Sequence, residues 1–148
     1  MAKYLLDTNY LVYLADEESD ETKRKEVLED LAKKLAQEDT YFALTPLIRY
    51  EVLRGVDWQN TEKLQKINAA LEQFESLDIN KASADLARDL YRFDSYQAKL
   101  NGIPKNLEKR KFDMFHYAVA FVNGLEILSK DSDIAKIEDL HKQMLATK

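Results

Sequence analysis

The chain has 148 residues, 45% of them hydrophobic, which suffices for one real core but hardly for two, so a single domain over 1–148 is expected. Cysteine is absent and no apolar run approaches a bilayer span, so disulfide and transmembrane classes are excluded; the start Met-Ala-Lys-Tyr-Leu-Leu-Asp is too briefly apolar for a signal peptide, so export is not expected and a soluble cytoplasmic protein is. With 27 acidic against 22 basic side chains the formal net charge is -5, so a bulk electrostatic nucleic-acid binder is excluded too, and action on a polyanion requires bound cations or a concentrated basic patch.

Lys3-Tyr4-Leu5-Leu6 is a short apolar run ending at Asp7, as a buried parallel strand does, and Thr8-Asn9 can open a helix. From Glu21 to about Gln37, Val27, Leu28, Leu31 and Leu35 fall at helical spacing among lysines and glutamates. Tyr41-Phe42-Ala43-Leu44 reads as a second strand, followed by Thr45 as a cap and Pro46 at the first position of a helix that carries Glu51 and stops near Gly55. Another helix is predicted over Thr61 to Phe74, with Leu64, Ile67 and Leu71 on one side, and Ser76 to Ile79 is read as a third strand. Asn80 can cap a long helix whose Ala84, Ala87, Leu90 and Tyr91 continue the stripe towards Leu100, before Gly102 and Pro104 break it. Met114 to Val122 is apolar almost all round and predicts a deeply buried helix with Asp113 at its start. Leu125 to Leu128 is read as the fourth strand, and Met144-Leu145-Ala146 as a fifth. Alternating strands and helices imply an α/β protein with a mostly parallel sheet, in which sites form beyond the carboxyl ends of the strands. Asp7 and Asp131 both stand at such ends.

Taken singly, the acids have ordinary readings. Aspartate after a strand is commonly the cap of the next helix, which serves for Asp7, for Asp113, and for Asp131 or Asp133 ahead of a short helix towards Lys136. Glu51, inside a helix, is by default solvated. Taken together, Asp7, Glu51, Asp113 and Asp131 can approach one sheet edge, and carboxylates so crowded must protonate or recruit a hard divalent cation such as Mg²⁺ or Mn²⁺. Composition and spacing leave both readings open.

Four strings carry a resemblance. Leu5-Leu6-Asp7-Thr8-Asn9, Tyr50-Glu51-Val52-Leu53-Arg54-Gly55, Phe112-Asp113 with Ala118 and Ala120, and Ser129-Lys130-Asp131-Ser132-Asp133-Ile134 stand in the order and at the distances of the PIN domain family. Over essentially its entire length the sequence resembles that family, and within it the VapC-type ribonuclease toxins. Ser129 replaces the usual Thr and keeps a hydroxyl, Ile134 replaces the usual Phe, and Gly102 to Lys111 is longer and more basic than is typical.

The resemblance implies a three-layer α/β/α PIN-like sandwich with a central sheet of four to five mostly parallel strands. It also implies hydrolysis of RNA phosphodiester bonds by water activated on one or two Mg²⁺ or Mn²⁺ ions. Asp7 and Asp113 are expected to touch the metal, Asp131 to do so directly or through water, and Glu51 to orient the attacking water or a second ion. Thr8, Asn9, Ser129 and Asp133 are expected to hold these carboxylates by hydrogen bonds. Arg49, Arg54, Lys105, Lys109, Arg110 and Lys111 supply the basic surface the overall charge called for, with solvated helix charge as the alternative. His116 is expected in the core, His141 on the surface, and Tyr10 and Tyr13 in the core or a dimer interface in preference to base stacking. A homodimer neutralised by a VapB-type antitoxin is implied as well. The competing readings are a PIN nuclease of RNA processing and a catalytically silent PIN scaffold; a dehalogenase-type phosphatase fails because the second Asp it needs is Asn9 here.

Overall fold

The computed structural model describes residues 2–103 and 110–147. Strands β1 (Ala2–Leu6), β2 (Thr40–Leu44), β3 (Glu75–Ser76) and β4 (Glu126–Leu128) alternate with helices α1 (Thr8–Ala15), α2 (Glu21–Leu35), α3 (Pro46–Leu53), α4 (Thr61–Leu71), α5 (Lys81–Leu100), α6 (Lys111–Asn123) and α7 (Asp133–Ala146). Among the described residues no helix is long and apolar enough to cross a membrane. The chain divides into two compact units, Met1–Asp78 with Leu125–Lys130, and Ile79–Gly124 with Asp131–Lys148.

The first unit holds the whole sheet, in the order β3-β2-β1-β4 with every pairing parallel. β1 is central, and its Tyr4, Leu5 and Leu6 are buried, as a strand flanked on both edges demands. Leu5 pairs with Ala43 on one side and Ile127 on the other. The chain leaves β1 for β2 and then β3, moving outward, and returns to β4 on the opposite side of β1. That reversal makes the carboxyl ends of β1 and β4 the switch point where α/β sheets open a crevice. Local chemistry sets the helices: Thr45 accepts the Ile48 N–H at 3.1 Å with Pro46 in the first turn, and Asp20 and Asn60 accept from Lys23 and Lys63.

The second unit is helical. Ala87 and Leu90 of α5, Met114 and Ala118 of α6, and Ile137, Leu140 and Met144 of α7 form its core. Asn80 caps α5 by accepting the Ser83 N–H at 2.9 Å, as expected, and α6 ends on Gly124 at φ 67, a left-handed position that favours glycine.

Two predicted elements need correction. Met144-Leu145-Ala146 is the last turn of α7, not a fifth strand, and the helix expected to be short runs fourteen residues. Ile134, Ile137, Leu140, His141 and Met144 are its buried residues, a helical spacing obscured by a histidine read as surface. The third strand is Glu75–Ser76, one residue earlier and shorter than the predicted Ser76 to Ile79; Leu77 still donates its N–H to Leu44 O at 2.8 Å, but Asp78 and Ile79 lead directly to the α5 cap.

Candidate active site

In the first unit, Asp7 directly follows β1 and is 3% exposed. It does cap α1: Oδ1 accepts the Thr8 N–H at 2.8 Å. Its second oxygen has a different neighbour, because Oδ2 accepts the Ser129 hydroxyl at 2.8 Å. Ser129 Oγ also lies 3.3 Å from Asn9 Oδ1, which accepts the Lys130 N–H at 2.9 Å, and the Asp7 N–H reaches Leu128 O at 3.0 Å. Residues 7–9 and 128–130 are thereby stitched across the ends of β1 and β4, and each oxygen of the Asp7 carboxylate accepts from an uncharged donor. The capping and the site readings of Asp7 are compatible, one oxygen serving each. Beside it, Thr8 Oγ1 is buried with no hydrogen-bond partner among the described residues, a place where an incoming water or ligand oxygen gains a bond.

Lys130 pairs with Glu26 at 3.0 Å. Nearby, burial pushes the Asp30 carboxyl up, but hydrogen bonds from Lys34 and Tyr10 and the charges of Lys34 and Lys130 outweigh it and hold Asp30 below its ordinary value. Tyr10 is core, donating to Asp30 at 2.9 Å, and burial together with that carboxylate pushes its phenol up. Tyr13 lies 5.6 Å from the Lys23 ammonium. Glu51 sits on α3, half-buried, as the sequence placed it.

The second unit, taken by itself, holds a cluster of three carboxylates. Asp113, Asp131 and Asp133 each offer an oxygen, and these atoms lie within 4.8 Å of one another. Asp113 is the third residue of α6 and not its cap; Arg110 holds the cap position without a side-chain bond, and Asp113 stands in the first turn, where the helix dipole favours negative charge. Asp131 Oδ1 accepts the Asp133 N–H at 3.0 Å, folding the two acids into a tight turn at the start of α7. Lys136 lies 3.5 Å from Asp133 at the edge of that turn. Asp131, expected from the sequence to meet the metal directly or through water, and Asp133, expected as its supporting partner, both lie close to Asp113. The donor set is all oxygen and anionic, which fits a hard divalent cation. Glu51 joins no such group of three among the described residues.

His116 is 1% exposed, in the core as expected, and a ring nitrogen lies within 4.8 Å of an Asp113 oxygen one turn before it. His141 is not a surface residue: it is 4% exposed, 2.7 Å from Tyr117 Oη through Nδ1 and edge-on to Phe121. The signal that could have found it is the helical spacing of α7.

The basic residues occupy diverse settings. Arg49 is engaged by Glu72 at 3.1 Å and by Asn68. Arg54 is exposed, 5.4 Å over the Tyr50 ring, and Lys111 is exposed, 5.5 Å over Phe112. Arg110 binds Asp94, itself fully buried, at 2.9 Å. Lys105 and Lys109 lie outside the described residues. An open groove of about 580 Å³ runs past Asp133, lined by Gln97, Arg110, Lys136, Asp139 and Gln143.

With that geometry in place, comparison with known proteins settles the family. The sequence matches the PIN domain over residues 4–140. This chain belongs to the PIN domain family, a family of nucleases. The match runs through residues of both units, and the α/β class with a parallel sheet read from the sequence is the fold observed. Similar solved structures include VapBC2 from Rickettsia felis bound to a DNA fragment from its promoter, at 18% identity and TM-score 0.62 over 90% of this chain and 91% of that one. VapBC-1 from nontypeable Haemophilus influenzae is similar at 15% identity and TM-score 0.63, over 93% and 92%. FitAcB from Neisseria gonorrhoeae is similar at 22% and 0.63, over 92% and 93%. At these identities the likeness establishes the fold. No curated protein matches the sequence.

Proposed function

We propose that this PIN protein is a Mg²⁺- or Mn²⁺-dependent endoribonuclease, and that it is the toxin of a VapBC-type pair, acting in the cytoplasm as a homodimer and restrained by a VapB-type antitoxin. The observation that carries the nuclease reading is the trio Asp113, Asp131 and Asp133, with ligand oxygens within 4.8 Å of one another in a chain of a nuclease family. The toxin and antitoxin reading is supported by the fold likeness to proteins solved as VapBC assemblies.

In this reading Asp7, Glu51, Asp113 and Asp131 serve one reaction. Asp7 and Asp113 hold the cation, Asp131 completes its oxygen set with Asp133 behind it, and Glu51 orients the attacking water. A divalent ion, when bound, supplies Lewis acidity to the phosphoryl oxygens and activates water near neutral pH. Ser129 fixes one Asp7 oxygen through its hydroxyl, leaving that carboxylate no freedom to swing away. Arg54 and Lys111, both exposed, provide phosphate contacts that the net charge of -5 otherwise denies. Arg110 acts through Asp94, and Arg49 through Glu72, as supports of that surface.

The test is cleavage of total RNA with Mg²⁺, Mn²⁺ or EDTA, using the parent chain, Asp7→Asn and Asp113→Asn. Cleavage is expected only in the parent with metal, with folding retained in both variants; equal activity in every sample excludes the reading.

A further inference from the structure

Asp94 of α5 is fully buried, four residues after Leu90 of the helical core. A carboxylate there is costly unless a cation answers it, and Arg110 does: its Nη1 donates to Asp94 Oδ2 at 2.9 Å, with the arginine side chain itself 16% exposed. Replacing a buried ion pair by apolar side chains of similar size is often neutral or stabilising, so stability alone does not account for an acid at this position. The contact is also incomplete. A guanidinium can hold a carboxylate through two nitrogens, yet the bond here runs through Nη1, and Arg110 Nε is buried with no hydrogen-bond partner among the described residues.

What the pair does follows from where Arg110 stands. It directly precedes α6 in helical conformation, at φ -101 and ψ -10, and its carbonyl accepts the Met114 N–H at 2.9 Å. Asp113 is three residues on, the spacing at which side chains of a helix are neighbours and opposite charges pair. Arg110 also lines the groove that runs past Asp133. A long, flexible cation thus stands beside two members of the trio Asp113, Asp131 and Asp133, the same negative charge that a divalent ion requires. Among the described residues its ion pair is nevertheless with Asp94, and all five residues belong to the second unit.

Resting on the metal-dependent nuclease reading, we propose that Asp94 is a positioning residue that tethers Arg110 away from the carboxylate trio and so keeps an internal guanidinium from competing with the metal ion. Asp94 touches neither metal nor RNA. Released from it, Arg110 turns to the trio, places its idle donors on carboxylate oxygens there, and raises the Mn²⁺ concentration needed to fill the site.

The experiment measures Mn²⁺ binding to the full chain by electron paramagnetic resonance of the free ion, with the melting temperature alongside, for the parent, Asp94→Asn and the double variant Asp94→Asn with Arg110→Gln. Asp94→Asn is expected to raise the Mn²⁺ Kd about tenfold. It stays folded, because the guanidinium exchanges one carboxylate for others. Its cleavage of RNA falls at low Mn²⁺ and returns to the parent's kcat at saturating Mn²⁺, as competition for one site requires. Adding Arg110→Gln removes the competitor and brings the Kd back to within about twofold of the parent's, a non-additivity that mere loss of support for α6 does not produce. An Asp94→Asn chain that binds Mn²⁺ as the parent does, or that fails to fold, overturns the tether, and so does a double variant that binds no better than Asp94→Asn. Each of these leaves the metal-dependent nuclease standing. A parent chain whose Mn²⁺ binding is unchanged by Asp113→Asn, and which cleaves no RNA, removes that reading and the tether with it.

Discussion

The carboxylate at the end of β1 and the three at the starts of α6 and α7 solve the same problem differently. Asp7 is buried, yet both of its oxygens accept hydrogen bonds from uncharged donors, the Thr8 amide and the Ser129 hydroxyl. Those two bonds offset part of the cost of burying the charge and fix its direction. Asp113, Asp131 and Asp133 instead bring three anionic oxygens within 4.8 Å of one another, with Asp131 exposed and Lys136 at the margin. Like charges that close repel, and a cation among them turns repulsion into coordination. The first arrangement aims a ligand; the second asks for one.

Substitutions separate the two. The largest effect is expected from Asp113→Asn, which removes a charge shared by the trio: metal-dependent RNA cleavage falls to background while the melting temperature holds. Residual cleavage near the parent's level would show that the trio is ornamental. Ser129→Ala frees one Asp7 oxygen and is expected to lower cleavage about 10- to 100-fold, the usual cost of losing a partner that orients a metal ligand; an effect under twofold would mean that Asp7 needs no such aim.

Stability provides finer discrimination. Saturating Mn²⁺ should raise the melting temperature of the parent by about 5 °C or more. The double variant Asp131→Asn with Asp133→Asn should lose that response and, relieved of repulsion, melt about 2 °C higher than the metal-free parent. A double variant that still responds to Mn²⁺ would move the ion elsewhere.

The smallest effect concerns the Tyr10, Asp30 and Lys34 contact behind Asp7's helix. Since the folded state holds Asp30 below its ordinary carboxyl value of 3.8, its stabilisation is present in full above about that pH and is lost as pH falls through the lowered folded value. Asp30 is two-fifths exposed on its side chain, so solvent screening limits the contribution to roughly a few tenths of a kcal/mol. Acid titration of Asp30→Asn should therefore show a slightly flatter loss of stability below pH 4 than the parent; identical profiles would refute this.

What the sequence made legible was whatever depends on neighbours along the chain. Asp7 after an apolar strand, Thr45 before Pro46, Asn80 before a helix and Glu51 within one could all be placed because caps and periodicity are local. The bond from Ser129 to Asp7 spans 122 positions and depends on β4 pairing beside β1, which no local pattern states. Arg110 read as surface charge because its partner Asp94 lies on another helix, inside a stripe that otherwise reads apolar; burial of that pair makes the arginine a structural clamp. α7 was cut short for a similar reason, since His141 is buried against Tyr117 and Phe121 although histidine gives no sign of which face it takes. β3 shrank to two residues because its extent is set by pairing with β2, not by its own apolar content.

The most direct test is the position of the ion itself. Crystals grown with Mn²⁺ should show an anomalous scattering peak bonded to a carboxylate oxygen of Asp113 and to one of Asp131 or Asp133, lost in Asp113→Asn crystals. A well-diffracting crystal saturated with Mn²⁺ and lacking a peak at these three side chains would contradict the account.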